Sequence, residues 1–116
     1  MILPNKIRIL ICTQKIDFRK SIDGLSILVA DVFNQNPIAD YLFVFRNSYG
    51  DKIKVLYWDR NGFVLWYKRL EKGKFKLPPL KDGCFELDIR QLRWLLDGLD
   101  FMKTKGHEAL YYNKHY

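Results

Sequence analysis

The sequence predicts one α+β domain, a mostly antiparallel sheet of four to five strands packed against two helices. Two stretches near opposite ends place apolar residues at helical spacing. Between them lie short segments rich in aromatic and β-branched residues, split by the turn-forming sequences NSYGD and DRNG. A chain of 116 residues is one domain's worth of material, and 48% hydrophobic content is ample for one core. The predicted domain covers 1–105, and 106–116 reads as a loose polar and aromatic tail without periodicity.

In chain order, Lys6 to Cys12 alternates around Ile7, Ile9 and Ile11, as an opening strand does. Asp17 is placed to cap a helix from about Phe18 to Asn34. Its buried stripe is Ile22, Leu25, Leu28, Val29, Val32 and Phe33. Gly24 inside that helix costs roughly 1 kcal/mol relative to alanine, which suggests a backbone packed closely against it. Asn36-Pro37 ends the element. Strands follow at Tyr41–Arg46, Lys52–Asp59 and Gly62–Leu70, with Asn61-Gly62 a strong hairpin signal. Further short strands are expected at Lys74–Leu77 and Cys84–Leu87. Asp88 with Gln91 three residues later is a capping box for a last helix. Its inward side is Leu92, Leu95, Leu96 and Leu99, and Gly98 is set to end it.

Composition narrows the function. No apolar run approaches the roughly 20 residues of a membrane helix, and the N-terminus lacks the order of a signal peptide, so a soluble, cytoplasmic protein is expected. Cys12 and Cys84 sit in apolar runs and read as two buried thiols, although spacing alone leaves a disulfide open. His107 and His115 fall in the tail, away from both cysteines, so no metal site is expected. The acids read as helix caps, turn residues and solvated side chains. With no phosphate-binding glycine loop and no nucleophile motif, the expectation is no enzyme and no cofactor.

Charge is more informative. Ten basic residues from Arg46 to Lys81 face three acids, a local net of +7, while the rest of the chain is neutral. Strand parity then sorts the side chains. One face of the hairpin should carry Lys52, Lys54, Leu56 and Trp58 beside Phe63, Leu65, Tyr67 and Arg69. The other carries Ile53, Val55, Tyr57, Val64, Trp66 and Lys68 and should meet the helices. Setting Arg46 opposite Lys52 adds Arg46 to the first face and Phe43 and Phe45 to the second. Cations among aromatic rings suit phosphates and unstacked bases. They equally suit a protein interface. In a third reading Trp58, Phe63 and Leu65 cover a second small core and the lysines are solvated.

The stretches IDFRKSIDGLSILV, YLFVFRNSYGDKIKVLYWDRNGFVLWYKRLEKGKFKLP and ELDIRQLRWLLDGLDF closely resemble the small accessory protein of bacterial insertion sequences of the sixty-six family. That protein is often called TnpB or the second open reading frame. The likeness spans roughly Ile7 to Lys105, with Leu77 standing where the family often has Trp before Pro. The resemblance implies a non-catalytic protein of a mobile element, encoded beside a separate transposase and needed for efficient transposition. In that setting Arg46, Lys52, Lys54, Lys68, Arg69, Lys72, Lys74 and Lys76 are expected on DNA phosphates. Trp58 and Tyr67 are expected on bases or on the transposase. Arg19 and Lys20 are a second DNA contact or simply solvated.

Overall fold

A computed structural model describes residues 7–14, 16–77 and 83–98. The elements are β1 (Arg8–Cys12), α1 (Ile22–Asp31), β2 (Tyr41–Arg46), β3 (Lys52–Asp59), β4 (Gly62–Arg69), β5 (Cys84–Leu87) and α2 (Ile89–Leu96). One five-stranded sheet runs β4-β3-β2-β1-β5. The β1–β2 pair is parallel and the other three pairs are antiparallel, so the α+β expectation of four to five mostly antiparallel strands and two helices is met. Leu99 and the tail lie outside the described residues.

The two helices take opposite faces of the sheet, which corrects the expectation that both cover one. Ile9, Val44, Ile53 and Val55 pack with Leu92 and Leu95 of α2. Leu10, Phe43, Phe45 and Leu56 pack with Leu25 and Val29 of α1 and with Phe33 just after it. Every central strand therefore buries both sides. Removing each such side chain from water is worth about 1.5–3 kcal/mol, which is why β1 and β2 read as continuous apolar runs.

The register of β2 against β3 produces a second correction. Arg46 pairs with Ile53 and Phe45 with Lys54, one residue from the expected alignment. The cause is Asn47. Its backbone N–H extends the ladder to the Lys52 carbonyl, and its side-chain Oδ1 accepts from the N–H groups of Gly50 and Lys52 at 3.0 and 2.9 Å. A one-residue slip exchanges the faces of a whole strand. Phe43 and Phe45 thus lie under α1, while Arg46 falls on the α2 face. In β3–β4 Trp58 stands opposite Phe63, one of the two alignments the turn allows, and the faces sort by the expected parity.

Local chemistry sets the helix ends. α1 starts later than expected because Asp17 does not cap it: Ser21 is the N-cap residue and makes no side-chain capping bond. Asp17 instead accepts the Arg19 N–H at 3.0 Å, closing an Asx turn ahead of the helix. Asn34, in the left-handed region at φ 54°, stops the chain from continuing as helix before Asn36-Pro37 is reached. Val32 consequently lies past the last turn, and 43% of it is exposed instead of lying in the buried stripe. The close neighbour of Gly24 is the Lys20 side chain one turn back, and not a second backbone. At α2 both halves of the Asp88–Gln91 capping box are formed.

Residues 74–77 are not a strand. Phe75 is nevertheless buried on the α2 face, and its N–H donates to the Gly50 carbonyl at 2.8 Å. With Leu70 N–H bound to the Asp51 carbonyl, the chain after β4 folds back across the loop between β2 and β3.

Candidate nucleic-acid interface

The Asx turn before α1 turns the carbonyls of Phe18 and Lys20 toward the sheet. The Lys54 ammonium donates to both at 2.7 Å, anchoring the turn over β3. It also lies 4.9 Å from the Phe18 ring centroid and 5.7 Å from that of Tyr67. Burial pushes its pKa down from the ordinary lysine value, opposed by the nearby Asp17 carboxylate. Lys54 is therefore a structural cation, tied into the fold.

Around it opens a cleft of about 670 Å³ lined by Asp17, Phe18, Arg19, Lys52, Lys54, Leu65 and Tyr67. Arg19 grips Asp17 through Nη2 at 2.7 Å, and its own side chain stays 92% exposed. Hydrogen bonds from Arg19 hold the Asp17 carboxyl well below the usual carboxylate range, so the pair stays charged at neutral pH. Lys52 sits 3.6 Å from Asp51 and directly across the ladder from Arg69. Arg69 in turn touches Glu71 at 2.9 Å, in an exposed pair that holds neither partner strongly.

The charge continues beyond the cleft on the returning chain. Lys74 lies 4.3 Å from the Tyr49 ring centroid, and its stem packs against Gly50. Gly50 needs its φ of 91° here, and a Cβ would meet the Lys74 side chain. Lys72 and Lys76 are exposed on the same segment.

Of the residues expected to act together, the fold gathers Lys52, Lys54, Tyr67 and Arg69 near one end of β3 and β4, with Lys72, Lys74 and Lys76 on the segment that folds back there. Three others are placed differently from the expectation. Arg46 is on the α2 face, opposite Lys52 and Lys54, and reaches the returning segment by donating to the Phe75 carbonyl at 3.1 Å. Lys68 is on that face too, donating to the Leu96 carbonyl at 2.7 Å and so satisfying the C-terminal end of α2. Trp58 shares the α1 face but lies six residues along β3 from Lys52, about 20 Å away at strand spacing. There it packs edge-on against Phe63, with centroids 5.1 Å apart. Arg19, expected as a separate contact, lines the same cleft as Lys52. Phe18 and Tyr49 also belong to this region, though strand parity does not point to them. The Asp-x-Arg spacing that closes the turn was the readable signal for Phe18, and nothing local marked Tyr49.

Among the described residues no three His, Cys, Asp or Glu side chains gather to hold a metal ion, and no helix is long and apolar enough to cross a membrane. The fold and site together define a class: a small α+β domain whose basic groups concentrate at one end of a sheet covered on both faces. Its family can be stated. The chain belongs to the IS66 Orf2 like proteins, whose family model matches residues 7–106, and this makes it an accessory protein associated with transposition of insertion sequences. It is similar to two uncharacterized proteins of Sinorhizobium fredii (strain NBRC 101917 / NGR234). To y4jC it is 39% identical over 106 residues, covering 90% of this chain and 91% of the relative. To y4hO it is 36% identical over 95 residues, covering 82% and 83%. No solved structure matches the chain.

Proposed function

We propose that this accessory protein supports transposition without catalysis or cofactor, by holding the element's DNA through its phosphates at the basic end of the sheet. The observation that carries the reading is the cleft, where Arg19, Lys52 and Lys54 converge from α1's leading turn and β3. Arg69 extends that charge across the ladder, and Lys72, Lys74 and Lys76 extend it along the returning segment. The Lys54 ammonium already covers one face of Phe18 and of Tyr67. This favours backbone contact over base stacking as the main source of affinity.

Fluorescence anisotropy against end-sequence and scrambled DNA, single- and double-stranded, across a salt series, tests it. Binding should weaken steeply as salt rises. Lys52→Glu with Arg69→Glu should weaken it by more than roughly tenfold, and duplex binding should lose about 0.9 of salt slope per phosphate contact removed. Unchanged affinity in that folded double variant would remove the cleft from consideration. A second reading, an adaptor for the element's separate transposase, draws on the apolar side chains left exposed on and after α1, Ile27 at 59% and Ile38 at 52%. It gains if DNA binding vanishes near physiological salt while the transposase is still retained in a pull-down that Ile27→Asp breaks.

A further inference from the structure

Cys12 ends β1 and Cys84 begins β5, and the antiparallel register sets them directly opposite each other. The next pair outward is closed by the Thr13 N–H, which donates to the Gly83 carbonyl at 2.9 Å. Hydrogen-bonded and non-hydrogen-bonded pairs alternate along such a ladder, so Cys12 and Cys84 occupy a non-hydrogen-bonded pair. Their Cα atoms are then about 4.5 Å apart, inside the span that a disulfide bridges. The two Sγ atoms are already 3.3 Å apart. A linear two-coordinate soft cation fits less well, since metal–sulfur bonds of about 2.3 Å would need the sulfurs roughly 4.6 Å apart.

We propose that Cys12 and Cys84 form a reversible dithiol–disulfide site that a peroxide oxidises, stapling the edge strand β5 to β1. The thiolate of Cys84 attacks one peroxide oxygen. The O–O bond breaks, hydroxide leaves and takes up a proton to become water, and Cys84 is left as a sulfenic acid. The Cys12 sulfur then attacks the Cys84 sulfur, the S–O bond breaks, and the departing oxygen leaves as a second water with the Cys12 proton. Two thiols and one hydrogen peroxide thus give one disulfide and two waters.

The order of events follows from the surroundings. Contact between the thiols favours the thiolate at Cys84, while the same contact and burial keep the proton on Cys12. Both side chains are nearly closed to solvent, at 2% and 3% exposure. Access therefore requires local opening, and β5 supplies it as a four-residue strand that, among the described residues, is paired on one side alone. A small peroxide suits such an opening better than a bulky disulfide oxidant.

The full-length reduced protein should be treated with hydrogen peroxide, denatured in an alkylating agent and weighed intact. The expected product is one chain lighter by two hydrogens, with neither cysteine alkylated, and dithiothreitol should restore both thiols. In Cys12→Ser, Cys84 should instead stop at a sulfenic acid that dimedone traps. The proposal is overturned if both thiols remain alkylatable, if they climb independently to sulfinic acids, or if the disulfide links two chains. None of these readouts depends on DNA binding.

Discussion

Lys54 and Lys52 are two residues apart on one strand face, yet they do different work. The Lys54 ammonium donates to two backbone carbonyls of the turn before α1, whereas Lys52 is held by a loose ion pair at 3.6 Å. Lys54→Met keeps the stem and removes the donor, leaving the Phe18 and Lys20 carbonyls short of a bond. It should cost about 1–3 kcal/mol in urea unfolding, while Lys52→Met stays within about 0.5 kcal/mol. Equal losses would show that Lys54 is no anchor. At this scale the sequence told which residues were basic but not which were spent on the fold. The carbonyls that claim Lys54 lie 36 and 34 residues away and the one that claims Lys68 lies 28 away, and no spacing rule reaches them.

At the scale of elements, the two helices begin by different means. α2 has a capping box in which Asp88 accepts the Gln91 N–H at 2.7 Å, whereas Ser21 makes no side-chain cap for α1. Asp88→Ala should therefore lower stability by about 1 kcal/mol, and Ser21→Ala should be close to neutral, both read from denaturant midpoints. Strands were the most legible elements: Tyr41–Arg46, Lys52–Asp59 and Cys84–Leu87 are where alternation and turn residues put them. The α2 cap was equally plain, because S/T/D-x-x-E/Q chemistry is local. The β2–β3 register was not legible. The NSYGD segment permits pairings of either parity, and the Asn47 side chain chooses between them with two hydrogen bonds. That one choice puts Arg46 on the opposite face from Lys52 and Lys54, bonded to the returning segment between Lys74 and Lys76. The strand expected at Lys74–Leu77 failed for a related reason: its apolar spacing serves to anchor Phe75, with Leu77 packed beside the same core, on a segment that no strand among the described residues pairs.

Across the whole molecule, two apolar layers enclose one sheet, and the basic cleft opens at the margin of the α1 layer beside Phe18 and Leu65. Strand alternation marked one apolar face and left a second small core as one reading among three, without showing that a separate helix covers each face. The amphipathic stripe of a helix carries no label for the face it will meet. The strand order has a kinetic consequence as well. The β2–β3–β4 meander is built from neighbours in sequence, with hairpin loops of a few residues. β5 must instead find β1 across 72 positions, and α2 follows it directly in the chain. Loop closure is met before such a distant contact is rewarded, so the meander should form early and the β5–α2 unit late. Leu56→Ala in the meander should slow refolding, whereas Leu92→Ala in α2 should chiefly speed unfolding, in stopped-flow chevrons of the reduced protein. The last piece to arrive is also the first to leave, so the chain should shed β5 and α2 while the sheet that carries its basic end is still assembled.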